Sequence, residues 1–145
     1  MSNLTFLSKL LERAMYTQIA NYVEDNLLHA KHQSSYRTFH SCETALIDIV
    51  DDLQRMINQK MNVALILLDS SSAFDTIDQD LLLHRLEQQF SVKKDALNMI
   101  KSYLTNRYFS VVVDDQISEK KDLHYGVPQG SILGPLFYLL YTREI

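Results

Sequence analysis

All three glycines and both prolines of this chain fall between positions 126 and 135, in the run Gly-Val-Pro-Gln-Gly-Ser-Ile-Leu-Gly-Pro. The rest of the sequence does without either residue type. Glycine reaches backbone angles closed to other residues, and proline fixes one angle while removing a donor. Concentrating them in one stretch implies a turn of special geometry, or a place where a ligand approaches the main chain closely. A strand-to-helix turn without a ligand fits the composition equally well. The stretch is not a Walker A loop, because no Gly-Lys-Ser/Thr follows.

The chain has 145 residues, 46% hydrophobic and 22% charged, which is ordinary for one globular domain. Its net charge of −4 excludes a general electrostatic grip on nucleic acid or anionic lipid, though not a local basic groove. The single cysteine, Cys42, has no internal disulfide partner. No basic-then-apolar leader is present, and the apolar runs at 63–68 and 136–141 fall far short of the roughly 20 residues that span a bilayer. A soluble, intracellular chain with no membrane partner is the expectation.

Leu4, Leu7, Leu11, Met15, Ile19 and Tyr22 recur every three or four residues and predict an amphipathic helix to about Leu28. Residues 29–40 are aperiodic and read as a loop. Cys42, Leu46, Ile49, Leu53, Met56 and Ile57 mark a second long helix. Residues 63–68 (Val-Ala-Leu-Ile-Leu-Leu) read as a strand buried on both faces. Further helices are expected over 79–90, capped by Asp75 or Asp78, over 93–105, and from Ser131 to the last residue with Pro135 in its first turn. Residues 108–113 and 117–125 flank Asp114-Asp115-Gln116 as a strand pair.

Asp69 directly follows the apolar run. At the end of a buried strand it would lose hydration and need a partner, either a divalent cation with oxygen ligands or a buried Arg or Lys. Asp75, Asp78 and Asp80 are better explained by the helix that follows. His29, His32, His40 and Cys42 are all zinc-binding types, but their spacing matches no standard finger.

Together these segments resemble the reverse transcriptases of non-LTR, LINE-type, jockey-like retrotransposons. Residues 67–75 (Leu-Leu-Asp-Ser-Ser-Ser-Ala-Phe-Asp) are similar to that family's first aspartate motif, and 126–135 to its Gly/Pro/Gln motif. Residues 32–37 and 40–46 resemble its fingers segment, and 2–13 the helix before it. The order and spacing agree over nearly the whole chain. The resemblance implies a fold of the α/β (α+β) class. It would be a partial fingers-palm fragment of a right-hand polymerase, mostly helical with a small sheet around 63–69 and 108–125. Fingers-like helices and loop would occupy about 1–60 and a partial palm about 61–145.

The function so implied is RNA-directed DNA synthesis, a nucleotidyl transfer with Mg²⁺ as cofactor and an RNA template, a DNA primer and deoxynucleoside triphosphates as partners. Asp69 takes the role of catalytic metal ligand. Substrate-binding roles fall to Ser70, whose backbone touches the triphosphate, and to Phe74, which packs under the sugar and excludes a 2′-hydroxyl. They fall also to Gln129 and Gly130 beside the nascent base pair, and to Arg37 on the triphosphate. Ser35 and Phe39 stand where the family usually has Gly, and Ser70 where it has a large apolar residue. The family's Tyr-x-Asp-Asp turn is absent from the sequence; Asp114-Asp115 precedes the Gly/Pro stretch and reads as a hairpin turn. The expectation is therefore a truncated polymerase fragment that is inactive alone. It would associate with missing palm and thumb, or with itself, through the apolar segments 63–68 and 136–141. The alternative is a non-catalytic, domesticated remnant that binds protein or nucleic acid.

Overall fold

The three-and-four spacing of apolar residues becomes five helices among the residues described by the computed structural model, 5–128 and 130–143. They are α1 (Phe6–Asp25), α2 (Cys42–Asn58), α3 (Gln79–Gln88), α4 (Lys94–Leu104) and α5 (Gly134–Thr142). Between α4 and α5 lie four short strands, β1 (Tyr108–Phe109), β2 (Val112–Val113), β3 (Gln116–Ile117) and β4 (Lys121–Asp122). The mixed α and β class, mostly helical, is the one the sequence predicts. The chain divides into two compact units, Ala30–Ser71 and the chain on either side of it.

In the flanking unit, α3, α4 and α5 bury Leu82, Leu86, Ile100, Leu104, Phe137 and Leu140 in one core with Ile77, Phe90 and Leu133. Each such side chain contributes about 1.5–3 kcal/mol by leaving water. Met15 and Val23 of α1 join this core, and the Tyr22 hydroxyl donates to the Phe90 carbonyl at 2.9 Å. The buried face of α1 is set by Glu12, Met15 and Val23, so the expected stripe is rotated: Leu7 and Leu11 are exposed, and Leu4 lies outside the described residues. The helix stops at Asp25, three residues before the expected end. Leu27 turns left-handed there (φ +53°), and the Leu28 and Leu27 amides bond back to Val23 and Glu24. The helix from Ser131 is also shorter than expected, since α5 begins at Gly134 with Pro135 in its first turn. Leu136, Phe137, Leu139 and Leu140 are buried, so α5 is not the exposed apolar segment that the sequence suggests.

The strands form one hairpin. Val113 pairs with Gln116 around the two-residue turn Asp114-Asp115, and Tyr108 with Asp122. The register shifts by one residue between the two ladders. The extra residue falls at Glu119-Lys120, opposite Ser110; just before it Ser118 keeps the β2–β3 register, its amide donating to the Val111 carbonyl at 2.9 Å and its hydroxyl accepting from the Val111 amide at 2.9 Å.

In the unit Ala30–Ser71, α2 is well specified locally. Ser41 and Thr44 make a reciprocal capping box, Arg55 bonds to Asp51 one turn away, and Lys60 at φ +61° ends the helix. Yet no residue of α2 is buried, and Leu46, Ile49, Met56 and Ile57 are exposed. The expected strand at 63–68 does not form; Leu67 and Leu68 are 79% and 91% exposed. A strand is buried by its neighbours, and this unit has no second strand among its described residues to pair with it. The expected sheet is thus confined to the 108–122 hairpin.

Candidate functional site

The glycine-proline loop owes its shape to close contact with the turn before α3. That turn closes through Ser72, at φ +55°, whose carbonyl accepts from the Asp75 and Thr76 amides. The Gly126 amide then donates to the Ile77 carbonyl at 2.7 Å, and the Val127 amide to the Phe74 carbonyl at 2.9 Å. Gly126 has φ +80°, and a Cβ there would lie 2.9 Å from Asp75 Cα and from the Phe74 oxygen. Only glycine fits. Gln79, buried at the start of α3, donates to the Gly126 carbonyl at 3.0 Å. Asp78, rather than Asp75, caps that helix, accepting from the Leu81 amide at 2.9 Å.

The far side of the loop leads into α5. Ser131 Oγ accepts from the Gly134 amide at 2.9 Å, replacing a partner that the first turn lacks. The Ile132 amide donates to the Glu12 carboxylate at 2.7 Å, and Glu12 is fully buried. The Tyr103 hydroxyl faces Glu12 and Ser131 without completing a hydrogen bond of ordinary geometry. Burial, and next the nearby Glu12 charge, push its pKa well above the usual tyrosine value. Between these anchored ends stands Gly130, exposed, at φ +76°, where a Cβ would meet nothing within 4 Å.

Of the residues singled out in the sequence, Phe74 and Gly130 belong to the flanking unit. The Phe74 ring is half-buried and meets Tyr138 edge-on at 5.6 Å. Gln129 lies outside the described residues. Asp69, Ser70 and Arg37 belong to the unit Ala30–Ser71. Asp69 is exposed, not desolvated at a strand end as expected, and one carboxylate oxygen accepts the Ser70 amide at 2.9 Å. Arg37 is half-buried with Nε lacking a hydrogen-bond partner. No hydrogen bond or ion pair joins it to Asp69 among the described residues. Nor do three His, Cys, Asp or Glu side chains gather there in an arrangement able to hold a metal ion. His29 instead pairs with Glu24 at 2.9 Å, and Cys42 is exposed. No described helix is long and apolar enough to cross a membrane.

Sequence reasoning missed Glu12, Gln79 and Ser131 as the loop's supports, and Tyr103 as the buried hydroxyl beside them. Glu12 alone left a signal, a charged residue at helical spacing with Met15 and Val23; Gln79, Ser131 and Tyr103 left none.

A family model described as reverse transcriptase (RNA-dependent DNA polymerase) matches residues 1–145. The chain is 31% identical over 144 residues to a probable RNA-directed DNA polymerase from transposon X-element of Drosophila melanogaster. It is 31% identical to the RNA-directed DNA polymerase from mobile element jockey of Drosophila funebris, and 29% to that from transposon BS of Drosophila melanogaster. Each match covers 99% of this chain and 16% of the relative, so the chain spans about a sixth of the length of these curated relatives. The glycine-proline loop, the aspartate segment and the helices between them are thus parts of one domain type, and the chain belongs to the reverse transcriptase family.

Proposed function

We propose that this chain is part of an RNA-directed DNA polymerase of retrotransposon origin, and that the loop around Gly130 meets the paired template and incoming nucleotide. The observation that carries the reading is Gly130 itself. Its left-handed φ of +76° favours glycine, but no neighbour in the fold fills the space where a Cβ would stand, whereas at Gly126 both the angle and the neighbours demand its absence. Open space over an exposed main chain suits close approach of a flat ligand. Phe74, at the root of the loop, would support the nucleotide sugar, Arg37 would hold its triphosphate, and the backbone at Ser70 would touch the same phosphates. Gln129 would lie beside the base pair.

The reaction in this family uses Mg²⁺, which when bound neutralises charge on the phosphates. Asp69 offers the hard oxygen donors that this ion takes. Among the described residues no three His, Cys, Asp or Glu side chains gather around Asp69, which is exposed. Asp69 would be one ligand among others supplied elsewhere. Because a polypeptide of these 145 residues contains no Tyr-x-Asp-Asp turn, the expectation is that it does not polymerise alone. Incubated with Mg²⁺, deoxynucleoside triphosphates and a DNA primer on an RNA template, it should give no extension. Extension that Asp69→Ala abolishes would refute that.

A second reading rests on the exposed apolar face of α2. The chain could serve as a non-catalytic remnant that binds protein. Binding of a fluorescein-labelled primer–template duplex, weakened by Gly130→Val at unchanged stability, favours the polymerase reading. Absence of any duplex binding at low salt favours the remnant.

A further inference from the structure

The loop is gripped at both ends by polar side chains from helices remote in sequence: Gln79 of α3 on the Gly126 carbonyl, and Glu12 of α1 on the Ile132 amide. Glu12 lies 120 positions from its partner and is completely buried. Its second carboxylate oxygen lies 3.3 Å from the Ser8 hydroxyl one turn back along α1, which sets the rotamer. Among the described residues no Lys, Arg or His forms an ion pair with it. A buried carboxylate without a cation is costly. A leucine would fill the same space at lower cost, but only an acceptor satisfies the Ile132 amide, which would otherwise be left without a partner on the side of the loop facing α1.

We propose that Glu12 is a positioning residue: by fixing the Ile132 amide, its carboxylate sets the path along which the loop presents Gly130. That nucleic acid is what Gly130 meets rests on the function proposed above; the grip itself does not.

Amide hydrogen exchange on the 145-residue chain, with no nucleic acid present, tests the grip. Glu12→Leu keeps the volume and removes the acceptor, whereas Glu12→Gln keeps an oxygen acceptor. In the wild type the Ile132 amide should be protected. In Glu12→Leu it should exchange at least about tenfold faster while the Leu86 and Phe137 amides keep their rates, and in Glu12→Gln it should stay within about threefold of wild type. A space-filling role predicts full protection of Ile132 in Glu12→Leu, and that result overturns the proposal. So does a wild-type Ile132 amide exchanging as fast as that of Gly130. If Glu12→Leu does not fold, Ser8→Ala decides. It frees only the second oxygen and should speed Ile132 about threefold, and no change overturns the proposal. Anisotropy with a fluorescein-labelled primer–template duplex reads the functional consequence separately. Where the wild type binds, Glu12→Leu should weaken binding about fivefold and Glu12→Gln should not; equal binding by all three overturns the positioning role. A wild type that does not bind favours the remnant reading over nucleic acid at Gly130, and exchange at Ile132 still decides the role of Glu12.

Discussion

Gly126 and Gly130 share a left-handed backbone and differ in what surrounds them. At Gly126 a methyl group would press on Asp75 Cα and the Phe74 carbonyl, both main-chain atoms that cannot rotate aside. Gly126→Ala should therefore cost at least about 3 kcal/mol in chemical denaturation, strain and overpacking combined. Gly130→Ala should cost only the left-handed penalty, about 1 kcal/mol. Equal losses would show that the loop is packed differently. Tyr103 gives a pH test. Its raised pKa means that the folded state holds the phenolic proton more tightly than the unfolded state. The associated stability is whole below the unfolded value of about 10 and falls as pH rises above it, by at most about 1.4 kcal/mol per pH unit. Tyr103→Phe should remove that alkaline slope. At neutral pH it should leave stability within about 1 kcal/mol of wild type, because the hydroxyl it deletes makes no complete hydrogen bond. A wild-type slope that persists in the variant would assign the titration to another group.

The elements were legible in the sequence where their information is local. Cap chemistry marked the start of α3 to within Asp75 or Asp78, the spacing of Leu97, Ile100 and Leu104 marked α4, and paired aspartates marked the hairpin turn. The 63–68 run was misread because β-branched and leucine content reports affinity for a buried sheet, not the presence of a partner strand. The anchors of the loop were illegible for the same reason: Gln79 and Ser131 are ordinary surface residue types until a carbonyl or amide from elsewhere reaches them. Asp114 and Asp115 hold φ +46° and +62°, both left-handed, in the kind of turn that prefers glycine second. They also set two like charges side by side. Asp115→Gly should stabilise the hairpin by about 1 kcal/mol, read as slower exchange of the Ser118 amide, which bonds to Val111. Unchanged or faster exchange would mean that the bulge at Glu119-Lys120 rather than the turn limits the hairpin.

At the scale of the whole chain, apolar burial is unequally shared. The core lies in the unit that flanks Ala30–Ser71, whereas Ala30–Ser71 itself contains no buried residue. Leu46, Val50 and Ile57 stand 60%, 48% and 60% exposed at helical spacing along α2, followed by the exposed run Leu65, Ile66, Leu67 and Leu68. Local capping is enough to write α2, but isolated helices of this length are marginal in water and gain most of their stability from packing. Contiguous exposed apolar surface of this kind drives association. Light scattering on the purified chain should find oligomers at micromolar concentration. The double substitution Val50→Lys with Ile57→Glu should shift them toward monomer without lowering the cooperative melting of the α3–α5 core, because neither side chain contributes to that core. A wild type that stays monomeric across the concentration range would mean that this face needs no cover. A double variant that still oligomerises would move the contact to the 65–68 run, where Leu67→Glu is the corresponding change.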